Sequence, residues 1–390
     1  MKWVNKPFQF LSQMDGLDAS RNCHLNLLST KTMANKLQNG GFLRKLALNS
    51  IYFSGAHLLC QSWVKGLGSI LMLHHVRENP REDFSPNAFL GITPKFLDKV
   101  LTELALANID FVSMDEAVKR ISEAKSPTAK RPFLAVTLDD GYRDNKEIAA
   151  SIFAKHNMPY TIYVAPGFVD GQADLWWDDL EHIIAARDTL HIDLEKGREE
   201  IDTSTVDLKN QAYADLMIYL TSAVDEDRQR EIVRDLASTY KIDVAAHRES
   251  QIMNWNEIAE LNKDPLCTIG AHTISHPMLA RLSEKDAKFQ MVESARIIEA
   301  ELGERPKHFA FPYGMPAAAG PREFQLAKEC GFASAVTTRH GVVHLEHKDH
   351  LTGLPRISLN GGFQAVRYAK TLISGVPTLM QNKGKRINVA

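Results

Sequence analysis

Seven short apolar runs, mostly separated by stretches of helical period, constrain this fold more than any other feature of the chain. They read GSILMLHHV, FLAVTLDD, PYTIYVAP, CTIGAHTISHP, HFAFPYG, FASAVTT and LPRISLN. Most are rich in β-branched or aromatic residues and closed by Gly, Pro or Asn, which marks strands, and their near-continuous apolar character marks burial on both faces. Strand, helix and strand at this spacing imply parallel pairing. The expected fold is therefore α/β, an irregular and distorted β/α barrel. Between residue 177 and about 245 the rhythm breaks into a charged, helix-favouring stretch, expected as a helical insertion over about 180–248 with solvated helix faces. Residues 1–40 show neither period and are expected to be a poorly ordered leader, with Met33 an alternative start. The remaining divisions are a helical segment over 41–68, the main domain over 69–370 and a tail over 371–390.

At 390 residues the chain can bury a large core, and its formal net charge of -2 shows no global bias toward nucleic acid or an anionic surface. Cys23, Cys60, Cys267 and Cys330 are far apart and form no CxxC pair, which argues against a disulfide framework and a thiolate zinc site. No run reaches the about 18 apolar residues of a membrane span, and the first residues lack a signal-peptide core, so a cytoplasmic location is expected. Residues 42–64 are apolar along a helical pattern with Arg44 and Lys45 near the start. Two readings stay open for them: a helix docked on the domain, or an amphipathic helix resting on a membrane surface.

The run FLAVTLDDG ends in two adjacent carboxylates, Asp139 and Asp140. Neighbouring strand residues point to opposite faces, so two acids cannot share one environment while the strand continues. The strand must end there, at the position where α/β folds keep their chemistry. One Asp would serve as an ordinary helix N-cap, and the second needs another explanation. In GAHTISHP, His272 and His276 stand four apart, so one helical turn brings both imidazoles to one face. Such a pair alone is weak, but two imidazoles with a spare carboxylate from another strand end make a familiar catalytic metal arrangement.

In this order TLDDG, HTISHP and FPYG resemble the first three motifs of the polysaccharide deacetylases, carbohydrate esterase family four with the NodB homology domain, over roughly residues 69–360. The resemblance implies a divalent ion held by Asp140, His272 and His276, with Zn first and Co, Ni or Mn as alternatives. It implies Asp139 as general base, the backbone N–H of Tyr313 as oxyanion donor, and an N-acetylglucosamine-type carbohydrate as substrate. Three positions depart from the common pattern. An Arg that usually precedes the Pro of the third motif by two residues is here Ala310, and Arg356 in LPRI is the candidate replacement. No C-terminal Leu-x-His motif for the general acid is evident among His340, His344, His347 and His350. LMLHHV instead resembles the circularly permuted poly-N-acetylglucosamine deacetylases, which makes His74 the aligned acid and leaves His75 as its rival. The Asp-x-x-Asp-Trp motif is also not evident, and Trp177, with Trp176, either lines the groove or anchors a loop in the core. Three functions remain in competition: an N-deacetylase, an O-acetyl esterase on a glycan, and a carbohydrate-binding protein without turnover. Retention of Asp139 favours the enzymes, because binding alone has no use for a base aimed at water.

Overall fold

The computed structural model describes residues 41–79, 82–194 and 197–389. The expected leader and Met33 lie outside them. All seven runs form strands: β1 (Gly68–Leu73), β2 (Phe133–Leu138), β3 (Tyr160–Val164), β4 (Cys267–Ala271), β5 (His308–Ala310), β6 (Ser334–His340) and β7 (Leu354–Ser358). Each pairs in parallel with its successor, and β7 closes on β1 through Leu71 with Ile357 and Met72 with Ser358, so the sheet is a closed barrel in sequence order. The distortion is local. A register shift separates Val336 from His340 between β6 and β7, and Phe309 with Ala271 is the recorded register between β4 and β5. A short strand, Asp110–Phe111, adds to β2 from outside.

Alternation along each strand divides the core into two shells. Ile70, Phe133, Ala135, Tyr163, Ala310, Val336 and Leu354 meet inside the barrel, where helix Met114–Ser122 supplies Met114, Ala117 and Ile121. Leu71, Leu73, Leu134, Val136 and Leu138 face the surrounding helices. One of these, Pro94–Ala105, starts at Thr93, whose side chain accepts from the Phe96 N–H, and buries Leu97, Val100, Leu101 and Leu104.

The insertion is mixed rather than purely helical. Helices Trp176–Ala185, Val206–Ser222 and Glu226–Tyr240 are joined by an antiparallel hairpin, Thr189–Leu194 with Gly197–Asp202. In TLHIDL the buried Leu190, Ile192 and Leu194 alternate with exposed residues, a period of two that the surrounding charge obscured. These elements share a second core with Trp176, Tyr213, Leu216 and Ile232, so their faces are not all solvated.

Residues 371–390 do not form a separate tail. Helices Val366–Ile373 and Val376–Gln381 lie against the N-terminal segment, and Arg339 Nη1 donates to the Asn388 carbonyl over 2.9 Å. Residues 41–53 are helical, and Arg367 Nε donates to Asn49 Oδ1 over 2.8 Å. Gly375, at φ 81°, comes so close to the Val64 carbonyl that any Cβ would collide with it. Among the described residues no helix is long and apolar enough to cross a membrane.

Candidate functional site

Strand parity aims the catalytic candidates. Phe133 and Ala135 face the barrel interior, so Thr137 and Asp139 continue the same face, and Arg356 follows Leu354 inward on β7. The two meet at the mouth. Arg356 Nη1 and Nη2 each donate to one Asp139 carboxylate oxygen at 2.7 Å, a bidentate pair between side chains that are both buried. Arg356 Nε donates to the Thr337 carbonyl at 2.8 Å, and Nη1 also donates to Thr137 Oγ1 at 3.1 Å. The guanidinium lies 6.0 Å from the Tyr163 ring centre. Burial pushes the Asp139 carboxyl upward, and the Arg356 charge and hydrogen bonds outweigh it, so its pKa lies below the ordinary value.

Asp140 leaves that parity. At φ 72° its backbone is left-handed, which turns its carboxylate away from the direction an extended residue would take. Its Oδ1 lies 3.5 Å from Nε2 of His272 and 3.5 Å from Nε2 of His276. The three side chains place ligating atoms within 4.8 Å of one another, all buried. His272 Nδ1 is 2.7 Å from the Ala310 carbonyl, which only accepts, so the proton sits on Nδ1 and the Nε2 lone pair faces Asp140. Burial pushes the His276 imidazole down to about 3, leaving it neutral. For Asp140, burial acts upward and the interactions with His272, His276 and His74 prevail, holding the carboxyl below the ordinary range. Asp140 Oδ1 is buried without a hydrogen-bond partner, a costly state for an anionic oxygen unless a cation joins it. A carboxylate and two imidazoles with free lone pairs suit Zn and its neighbours, so these residues fit the implied divalent ion.

Of the eight non-glycine residues with positive φ among the described residues, four are here: Asp140, Thr273, His276 and Tyr313. A β-branched residue such as Thr273, at φ 62°, is strained in this region. Its Oγ1 accepts from the His276 N–H over 3.0 Å, which ties down the turn carrying the second imidazole. Tyr313 and Gly314, at φ 59° and 57°, form the turn after β5, where a Cβ on residue 314 would collide with the Thr338 nitrogen. The Tyr313 hydroxyl accepts from Trp176 Nε1 at 3.0 Å, and its ring centre is 4.8 Å from that of His276. Trp177, 2 % exposed, stands 5.1 Å from His276. Both tryptophans belong to the second core; Trp177 also borders the cavity, and Trp176 braces Tyr313.

Parity also separates the adjacent histidines. His74 continues the inward series of Ile70 and Met72, is 21 % exposed, and places Nε2 4.0 Å from Asp139 Oδ2. Burial lowers its pKa more than Asp139 and Asp140 raise it. His75 faces the other way and is not brought to the cavity. Its Nδ1 is 2.7 Å from Asp144 Oδ2, and its ring centre lies 3.7 Å from that of Tyr142 with the planes tilted by 32°. Asp139, Asp140, His272, His276, His74 and Arg356 border one cavity of about 570 Å³, as do Tyr313 and Trp177. His340 also borders it, whereas the His344 N–H is bonded to His347 Nδ1 away from the cavity lining. The sequence reading missed Thr137, Tyr163 and the Ala310 carbonyl as supports. It also missed the outer wall, to which residues 44–51 and 372–388 contribute.

The buried pair predicts a pH-dependent stability defect. Arg356→Ala leaves Asp139 uncompensated and is expected to cost about 3–5 kcal/mol at neutral pH. In the parent, the depressed Asp139 pKa contributes stability that is present above the unfolded value and lost as pH falls through the folded one. In the variant the Arg356 charge and hydrogen bonds are gone, and burial, opposed only by His272 and His74, moves that pKa upward relative to the parent, so the deficit should shrink on acidification as the carboxyl protonates. Urea unfolding at two pH values measures it. A deficit below about 1 kcal/mol that ignores pH would make the pair no better than a surface contact.

The family model for polysaccharide deacetylases matches residues 126–335, more than half of the chain. Among solved structures, the Streptococcus pyogenes deacetylase PplD in complex with acetate is 17 % identical with a TM-score of 0.50, over 75 % of this chain and 92 % of that one. IcaB from Ammonifex degensii is 16 % identical with a TM-score of 0.50, over 79 % and 97 %. At these identities the two share the fold. Among curated proteins no sequence matches significantly. His74 and Arg356 lie outside the matched span and rest on geometry alone. The family match, whose span includes the strand ends that carry Asp139, Asp140, His272, His276 and Tyr313, on a closed parallel barrel, establishes that the chain belongs to the polysaccharide deacetylase family, hydrolases of the amide bonds that carry acetyl groups.

Proposed function

We propose that the protein is a metal-dependent deacetylase that hydrolyses the N-acetyl group of an N-acetylglucosamine-type glycan. The observation that carries this reading is the juxtaposition at the barrel mouth of a buried Asp140, His272 and His276 set with a second carboxylate, Asp139, clamped by Arg356. A divalent ion held by Asp140, His272 and His276 would polarise the acetyl carbonyl and acidify a water to a pKa near 7. Asp139 is the base for that water. Its two oxygens are fixed by the guanidinium, and its depressed pKa keeps it ionised at neutral pH.

His74, 4.0 Å from Asp139 Oδ2, receives the proton through Nε2 and delivers it to the leaving amine. A resting imidazole held neutral suits a group that is loaded during turnover rather than before it. The Tyr313 N–H, presented by a left-handed turn, is the oxyanion donor. Trp177 beside His276 limits water and offers an apolar edge to the acetyl methyl or sugar ring.

The test is reconstitution of metal-free protein with Zn, Co, Ni or Mn, followed by acetate release from N-acetylated and O-acetylated glycans. The expected result is metal-dependent release from the N-acetyl substrates. His272→Ala should lose bound metal by elemental analysis together with activity. Full metal retention by that variant, or release from O-acetyl esters alone, would overturn the corresponding part of the reading.

A further inference from the structure

The helix over residues 41–53 presents two different faces. Arg44, Ala47, Leu48 and Ile51 border the catalytic cavity. At about 100° per residue, Phe42, Leu46 and Phe53 fall on a single stripe on the other side. That stripe is exposed, and the apolar surface continues onto the next two helical turns, where Leu58, Leu59 and Trp63 are also exposed. Phe53 and Trp63 are each 75 % exposed and Leu59 78 %. Of the twelve large apolar side chains exposed among the described residues, seven lie between positions 42 and 63, and Met380, from the C-terminal helices packed beside them, is an eighth. A concentration of this kind is unusual for a surface facing only water.

The segments that carry this face are one-sided in charge. The chain carries a net charge of -2, yet residues 41–77 and 350–390 contain no Asp or Glu at all. Arg44, Lys45, Lys65, Lys383 and Lys385 stand on these segments, as does Arg386. Lys370 and Arg386 meet carboxylates borrowed from elsewhere, Glu103 at 2.7 Å and Glu346 at 3.5 Å. Exposed apolar side chains on segments whose charged groups are all cationic are complementary to an anionic phospholipid surface, in which the rings and aliphatic groups enter the headgroup boundary and the cations meet phosphates.

The cavity shares this polarity. Its floor holds the catalytic carboxylates, imidazoles and guanidinium, while its outer wall is lined by Leu48, Ile51, Phe363, Leu372, Pro377 and Met380. A wholly hydrophilic glycan gains little from such a wall. Met380 belongs both to the wall and to the exposed apolar group, and so links the exterior apolar side chains to the cavity. We propose that this face seats the protein on an anionic phospholipid bilayer and that the substrate is an acetamido sugar carried by a lipid of that bilayer, the second half resting on the deacetylase reading.

The test uses the full chain and a Phe53→Ser/Leu59→Ser/Trp63→Ser variant, none of whose changed residues borders the cavity. Both are sedimented with vesicles of phosphatidylcholine alone or with about one-third phosphatidylglycerol. The parent is expected to partition onto the anionic vesicles and to be released by salt, and the variant to bind at least about tenfold less. Both should release acetate equally from a short water-soluble acetamido oligosaccharide. Only the parent should turn over efficiently an acetamido glycolipid embedded in the anionic vesicles. A parent that stays in the supernatant, or a variant that binds as well as the parent, overturns the proposal. So does light scattering that shows the substitutions splitting a dimer, since a second copy then covers the face. If vesicle binding follows expectation while neither protein releases acetate from either substrate, docking stands and the lipid-carried substrate falls with the deacetylase reading.

Discussion

Asp139→Asn is expected to lower turnover about 10²- to 10⁴-fold and to leave bound metal close to that of the parent, while its unfolding midpoint falls because the buried Arg356 loses its counter-charge. The substitution keeps the shape of the side chain, and its carbonyl still accepts from Arg356, so the 2.7 Å contact to one oxygen survives. What it removes is the lone pair that takes the proton of the attacking water. Asp140, at the next position, is expected to behave differently, because its oxygen faces the two imidazoles rather than the guanidinium. Steady-state acetate release together with elemental analysis separates the two. Turnover within about threefold of the parent would remove Asp139 from the proton pathway, and loss of metal would move it into the ligand set.

His74→Ala is expected to slow amide hydrolysis by a comparable factor, about 10²- to 10⁴-fold, and to leave hydrolysis of an activated aryl acetate within about threefold. An amine leaves only when protonated, whereas a nitrophenolate needs no proton. The selectivity is therefore the signature of a general acid and not of damage to the site as a whole. His340→Ala is the necessary control, because that imidazole also borders the cavity. His75→Ala is expected to disturb Asp144 and Tyr142 instead, and to show no such selectivity. If the selective pattern appears for His340 and not His74, the acid belongs to β6 and the assignment from β1 is wrong.

The sequence exposed the fold because the physics of a doubly covered parallel strand leaves a dense local signal. Such strands are apolar on both faces, so FLAVTL, PYTIYV and GSILML stand out as continuous runs without any partner in view. The hairpin at 189–202 escaped because its signal is different. Only one face of TLHIDL is buried, and the charges on the other face resemble those of a solvated helix. The C-terminal segment escaped for a further reason: its helices are held by contacts with residues some three hundred positions away, such as Arg367 to Asn49, to which no local pattern can point.

The same division runs through the site. By itself the sequence determined the seven strands, the two carboxylates that end the second of them, and the imidazole pair four residues apart, since each is a local pattern of residue type and spacing. Only the tertiary structure shows which of His74 and His75 borders the cavity. The sequence established that neighbours on a strand face opposite ways, but which parity is interior is fixed by closure of β7 onto β1, and closure is a property of the whole sheet. Closure also made Arg356 the partner of Asp139 across 217 residues of chain and brought the helix at 41–53 to the rim of the same cavity. Residue type records what a side chain can do, whereas the charge, proton donor or apolar wall it meets depends on which distant strands the barrel brings to the same mouth.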